Sequence, residues 1–301
     1  MMSVQKNSKV IKKQKLKDKL KPILFIGPHL IFFTVFVVFP FFYGIFISFT
    51  RWDLMSPIEF AWFDNYELIF TKGNVFNLDF FNGLKATLIY TVVMTPLLII
   101  VPLIFAVLLL AVENKRIRSI FQIILYASSV LSVATVALTW RWLLDREMGV
   151  INNLLLKDIN WIGTQPYAWI SIFMLTLWSG IGGNMIIFMS SISGVSKSLY
   201  ESASLDGANK LQQFFHITLP SIRFPMLYAL VMGTIGGFNV FGQTYMFGGP
   251  ESTNTVMMYI REYSFGLATP MAGMASAMSV LLGLIISVFS FIQLKLMREK
   301  D

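Results

Sequence analysis

Two groups of residues in this sequence have types and spacings suited to chemistry. The first is polar without charge. Thr176, Gly180 and Asn184 recur every fourth residue with Trp178 among them, and Asn239 and Gln243 are likewise four apart. At that spacing each set falls on one face of a helix. Amides, hydroxyls and an aromatic face suit a neutral polyhydroxyl solute, and the same amides equally suit hydrogen bonding between membrane helices. The second group is charged. Glu201 and Asp206 precede Gly207 in the stretch SGVSKSLYESASLDGANKLQQFFHITLPSIRFP. Ser198 and Glu201 have the spacing of a capping box, and Gly207 can end the helix in the left-handed region. Leu211, Phe214 and Phe215 then place an apolar face on a second helical stretch. This element carries two carboxylates and lacks the basic face of an interfacial helix. It is expected to dock on a protein partner with basic groups.

Other chemistries are excluded or unsupported. The 301 residues contain no Cys, which removes thiolate metal sites and cysteine nucleophiles. No G-x-x-x-x-G-K-[ST] occurs, so the chain lacks its own cradle for nucleotide phosphates. It is expected to be no enzyme, with no catalytic residues, no metal site and no cofactor of its own.

The elements that must position these residues are membrane spans. Hydrophobic residues make up 55% of the chain and charged ones 13%, against about a quarter charged in soluble domains. Six segments approach the roughly 20 apolar residues that a crossing helix needs: Ile23–Thr50, Ala86–Val112, Ile120–Trp140, Tyr167–Ser193, Phe224–Phe247 and Met271–Leu294. None contains Asp, Glu, Lys or Arg; His29, the one histidine inside them, is expected to be a packing or interfacial residue. Proton- or sodium-coupled carriers usually keep an acid in the membrane, so the energy should come from outside the chain. Pro28, Pro40, Pro96 and Pro102 read as kinks repaired by neighbouring helices. The Trp residues at 52, 62, 140, 142, 161 and 169 read as an interfacial aromatic belt, whereas Trp178 lies deeper and could be a sugar platform.

Orientation follows from the cations. Residues 1–21 hold eight Lys and one Asp. Next to an apolar run, such a tail is read as cytoplasmic retention rather than nucleic-acid binding. With the N-terminus inside, inner segments hold seventeen Lys and Arg and outer ones seven. The positive-inside rule then places both termini and the loop at 194–222 in the cytoplasm. The expected architecture is all-α: a basic tail (1–22), a six-helix membrane domain (23–297) with a cytoplasmic helical loop at about 194–222, and a short C-terminal tail (298–301).

Glu201-Ser202-Ala203, then Asp206-Gly207 and, after nine residues, Ile217 with Leu219-Pro220, resembles the coupling-loop signature of ABC-importer permeases. Ser202 departs from the usual Ala, a small-for-small exchange. Phe81 to Thr91 resembles the start of the permease core, with Ala86 where Asn is common. Asn184-Met185 and Gly248-Gly249-Pro250 followed by Thr253 look like the carbohydrate-uptake, maltose-type, binding-protein-dependent members, in compact six-helix form. The resemblance spans roughly residues 20 to 296. It implies that Glu201, Ser202, Ala203, Asp206 and Gly207 couple to an ATPase, and that ATP and magnesium are bound by two partner ATP-binding subunits. It further implies a second homologous permease, an extracytoplasmic solute-binding protein and a bacterial cytoplasmic membrane. The expected cargo is a neutral sugar or oligosaccharide. The alternatives are another solute such as glycerol phosphate, or a channel or signalling protein outside the ABC class.

Overall fold

The computed structural model of the chain describes residues 25–298, with side chains through 295. The expected N-terminal tail (1–22), the first two residues of the first expected span and all but the first residue of the C-terminal tail lie outside the described residues. The described chain is mostly helical. Helix α1 (Phe25–Ile47) leads to a two-stranded ribbon, β1 (Thr50–Arg51) paired antiparallel with β2 (Glu59–Phe60), with Thr50 opposite Phe60. Then come α2 (Asp64–Phe70), α3 (Val75–Leu110), α4 (Lys115–Val130), α5 (Val133–Leu143), α6 (Val150–Leu155) and α7 (Tyr167–Ser193). The second half contains α8 (Lys197–Leu205), α9 (Lys210–Ser221), α10 (Arg223–Phe238), α11 (Gly242–Phe247), α12 (Val256–Arg261) and α13 (Ala272–Arg298).

Four helices (α1, α3, α7 and α13) are long and apolar enough to cross a bilayer, and two bent pairs raise the possible crossings to six. The expected fourth span coincides with α7. The second begins earlier than Ala86, at Val75, because Asn74 caps it: its Oδ1 accepts the Asn77 N–H at 2.9 Å. The first expected span ends in a helix at Ile47, and Thr50 belongs to β1 instead.

Two expected spans are broken. The third, Ile120–Trp140, is α4 and α5 meeting at 102°. Ser132 restarts the helix by accepting the Thr135 N–H at 3.2 Å, a bond that competes with helix continuation. The fifth, Phe224–Phe247, stops after Phe238 and restarts at Gly242. Gly236, Gly237 and Asn239 are weak helix formers, and the Val240 carbonyl accepts a bond from Thr255 Oγ1 at 2.8 Å.

Small residues set the close approaches. At Gly182 a Cβ would lie 2.6 Å from Tyr126 Cα and 2.8 Å from the Leu125 carbonyl, so α4 and α7 touch backbone to backbone. Ser128 Oγ stitches the same seam, donating to the Trp178 carbonyl at 2.8 Å. Gly182→Val should force the helices apart, with a penalty of about 1–3 kcal/mol or more. Thermal unfolding of the detergent-solubilised protein should show a clear drop for Gly182→Val and little for Gly183→Ala, whose added Cβ meets nothing within 4 Å. Equal melting of the two variants is the contrary result.

A strap of the Glu251–Thr253 turn and α12 crosses the Val75 end of α3. A Cβ at Gly83 would lie 2.9 Å from the Tyr259 ring. Thr87 Oγ1 donates to the Gly83 carbonyl at 2.8 Å and accepts the Val256 N–H at 3.1 Å. Tyr263 donates its phenol to Asp79 at 2.5 Å; burial and the adjacent carboxylate both push that phenol above its ordinary pKa.

A mid-helix cavity and an elbowed loop as candidate functional sites

A partly open cavity of about 400 Å³ lies between α3, α7 and α10, bordered by the α4–α5 break and α11. Tyr90, Met94 and Leu98 enter from one face of α3; Thr176, Gly180 and Asn184 from one face of α7; Gly233, Gly236 and Gly237 from α10; and Gln243 from α11. Thr176 is nine residues from the start of α7 and Asn184 nine from its end. At 1.5 Å per residue the cavity is therefore about 14 Å from either end of the helix, at its middle. Among the described residues, no Asp, Glu, Lys or Arg lines it.

Thr176, Gly180, Asn184 and Gln243 thus share one cavity, while Asn239 and Trp178 lie outside its lining. Asn239, exposed at the last turn of α10, donates to the Ile235 carbonyl of its own helix at 2.8 Å. Trp178 is 43% exposed and meets Trp140 edge-on at 6.4 Å, on the α4–α5 side of α7. Residues on other helices complete the lining. Tyr90 donates to Thr176 Oγ1 at 3.3 Å, and Ser129 lines the cavity from α4. Spacing within one helix could not reveal them, because it does not say which faces meet.

Asn184 has a bond whose origin is in the sequence. Pro102 has no N–H, so the carbonyl four residues back, that of Leu98, has no helical donor. Asn184 Nδ2 supplies one at 2.7 Å. The neighbour repairs the proline site, as such sites in membrane helices require. This leaves Asn184 Oδ1 and one amide proton for other partners. Gln243 forms no side-chain hydrogen bond among the described residues. The cavity can therefore offer amide donors and acceptors to hydroxyl groups, next to apolar Met94, Leu98 and Val136.

The second site is the loop after α7. Helix α8 begins behind Ser196, so Ser198 is already inside it, and its hydroxyl is 2.8 Å from that of Ser196. The expected Ser198–Glu201 capping box is not formed. The box lies one element later, where Asn209 Oδ1 accepts the Gln212 N–H at 2.9 Å and Gln212 Oε1 accepts the Asn209 N–H at 2.8 Å. Gly207 has φ +81°, and the Ala208 N–H bonds back to the Ala203 carbonyl at 2.8 Å, ending α8 as the sequence suggested.

Side chains then lock the two arms of this elbow. Gln213 Nε2 donates to Ser204 Oγ at 2.8 Å and to the Ala208 carbonyl at 3.1 Å, and the Tyr200 and Thr218 hydroxyls are 2.9 Å apart. The expected apolar face divides: Phe214 packs against the buried cluster that contains Ile222 and Phe188, while Leu211 and Phe215 stay exposed. A π-helical turn covers Phe214–Thr218 and carries the chain on to Leu219-Pro220. Glu201, Ser202, Asp206 and Gly207 are all exposed, and Ala203 is half-buried. Ala203, Asp206 and Gly207 line a notch of about 310 Å³ at the elbow, shared with Gln212 and His216.

Comparison with known proteins decides the family. Residues 72–299 match the family described as binding-protein-dependent transport system inner membrane component. The chain belongs to that family. This permease is 31% identical over 285 residues to the arabinooligosaccharides transport system permease protein AraP of Bacillus subtilis, covering 92% of this chain and 88% of the relative. It is 26% identical over 293 residues to the multiple sugar-binding transport system permease protein MsmF of Streptococcus mutans, covering 95% and 98%. Its fold is that of a permease chain in a bacterial ABC transporter that imports the acidic polysaccharide alginate. That comparison has a TM-score of 0.81 at 22% identity, covering 95% of this chain and 99% of the other. The resemblance to carbohydrate-uptake ABC permeases is thereby borne out, and the channel and signalling alternatives fall away. The permease is a multi-pass membrane protein and a transport component rather than a catalytic one.

Proposed function

We propose that this permease, paired with a second homologous subunit, forms the path of a neutral sugar or oligosaccharide through an ABC importer. In this reading α4 with α5, and α10 with α11, each make one crossing, giving six spans with both termini in the cytoplasm. The elbow of α8 and α9 is the coupling element seated on one of two ATP-binding subunits, which hold ATP and magnesium. An extracytoplasmic binding protein delivers solute at the opposite face. A relative of this fold is known in complex with a periplasmic protein bound to an alginate pentasaccharide, which supports that partner.

The observation that carries the reading is the mid-helix cavity, which has amides and hydroxyls and no charged side chain. A phosphorylated solute such as glycerol phosphate would call for a cation or a dipole there. The outer segments, on the positive-inside orientation, hold ten Asp and Glu against seven Lys and Arg, a balance that does not attract anions. The fold alone would not choose a sugar, since a methionine ABC transporter chain shares it at TM-score 0.56.

ATP would close the motor subunits, carry the docked elbow with them and shift a packed bundle between two arrangements. The test is ATPase activity of the purified complex with its binding protein loaded in turn with neutral arabino- or malto-oligosaccharides and with oligogalacturonate. Stimulation by a neutral oligosaccharide is expected. Stimulation by the acidic one alone overturns the neutral-solute reading, and absence of any copurifying ATPase overturns the transport reading itself.

A further inference from the structure

Resting on the transport reading, a second role can be assigned inside the cavity. Tyr90, Met94, Val136 and Leu175 belong both to the cavity wall and to a buried aromatic and aliphatic cluster. That cluster continues toward the Tyr167 end of α7, while a second buried cluster that includes Ile181, Met185 and Ala229 flanks the other end of the cavity. In the first cluster Ile172 is one turn nearer the Tyr167 end of α7, Leu144 follows the last residue of α5, and Phe247 ends α11. None of these seven residues of the first cluster is more than 3% exposed. The cavity is therefore stopped by a packed layer on the side of the Tyr167 end.

Two hydrogen bonds tie α3 to α7 along the cavity, and they differ in strength. The Asn184 bond to the Leu98 carbonyl is 2.7 Å long and fills a vacancy that Pro102 creates. The Tyr90 bond to Thr176 is 3.3 Å long, beyond the usual range for paired hydroxyls. Thr176 commits its own proton to the Ile172 carbonyl at 2.7 Å, so Tyr90 is the donor and receives none in return. The seam is weakest where the packed layer begins.

We propose that Tyr90 is a gate residue. Its ring closes the cavity toward the Tyr167 end of α7, and its hydrogen bond to Thr176 is the latch that releases when that end opens to solute. The ring blocks passage by packing, and the hydroxyl adds a bond weak enough to break in each cycle.

The native chain has no Cys, so a single introduced thiol reports without background. Gly236 lines the cavity, and a Cβ added there meets nothing within 4 Å. Gly236→Cys would be treated with a membrane-impermeant methanethiosulfonate reagent, from outside in intact cells and from the other face in inverted vesicles. With Tyr90 in place, modification from the Tyr167 side should be slow. Tyr90→Phe, which keeps the ring and loses the latch, should speed it by up to about tenfold, the loss of one hydrogen bond. Tyr90→Ala, which removes the plug, should speed it further. Leu175→Ala tests the same layer should Tyr90→Ala fail to insert. Equal rates across the variants, or acceleration only from the opposite face, overturn the gate. The readout needs neither sugar nor ATPase, so its failure is separable from failure of the transport reading.

Discussion

A Gly207→Pro permease is expected to reach the membrane, lose ATP-driven uptake and copurify poorly with its ATPase. The reason is local backbone geometry. Gly207 has φ +81°, and its N–H bonds to the Ser204 carbonyl at 3.1 Å. Proline fixes φ near −65° and has no N–H, so both features are lost, at a cost of about 3 kcal/mol or more. The elbow between α8 and α9 cannot close at that residue. The Gln213 bonds to Ser204 and Ala208 and the Tyr200–Thr218 contact then lose their register. The packing of α7 and α10 does not depend on this turn, so the membrane domain should fold. Gly207→Asn is the informative companion, since Asn tolerates the left-handed region and should keep most coupling. Glu201→Lys tests charge rather than shape. Its carboxylate is exposed on α8, so reversing it should weaken docking without disturbing the elbow. Uptake by whole cells and recovery of the ATPase on a tagged permease measure all three. Wild-type coupled uptake by Gly207→Pro would remove the coupling role from this loop.

That elbow also shows where sequence is informative and where it is ambiguous. Gly207 was legible because few residues other than glycine accept a positive φ. The capping box was not, because Ser198–Glu201 and Asn209–Gln212 have the same spacing and only the true helix start selects between them. The spans divide similarly. Tyr167–Ser193 is an unbroken helix and an unbroken apolar run, so the two coincide. Ile120–Trp140 is equally apolar and is bent by 102°. Hydropathy weighs side chains, whereas the break at Ser132 is a matter of backbone hydrogen bonds. The cavity was half legible. Thr176, Gly180 and Asn184 share a face that spacing alone reveals, but Tyr90 and Ser129 join them only through the packing of α3 and α4 onto α7. Pro102 was read as a repaired kink, yet nothing in one sequence pairs it with Asn184, 82 residues later.

The pairing changes what substitutions in the cavity should do. Gln243 has an unengaged amide, so Gln243→Ala should raise the solute concentration for half-maximal uptake while leaving thermal stability unchanged. The loss of one hydrogen bond, about 0.5–1.5 kcal/mol, corresponds to roughly two- to tenfold. Asn184 should behave differently. Asn184→Ala leaves the Leu98 carbonyl buried without a donor, a penalty of about 1–3 kcal/mol, so unfolding temperature should fall together with apparent affinity. Asn184→Asp should be worse than alanine, because a carboxylate offers no proton to a carbonyl and would place an uncompensated charge at the middle of α7. Asn239→Ala removes a bond within its own helix and should move neither quantity far. Thermal unfolding and uptake measured on the same four variants separate these cases. If Asn184→Asp melts with the wild type, the Leu98 carbonyl is being satisfied by something other than Asn184. The cavity wall would then be held by Tyr90 and Thr176 alone.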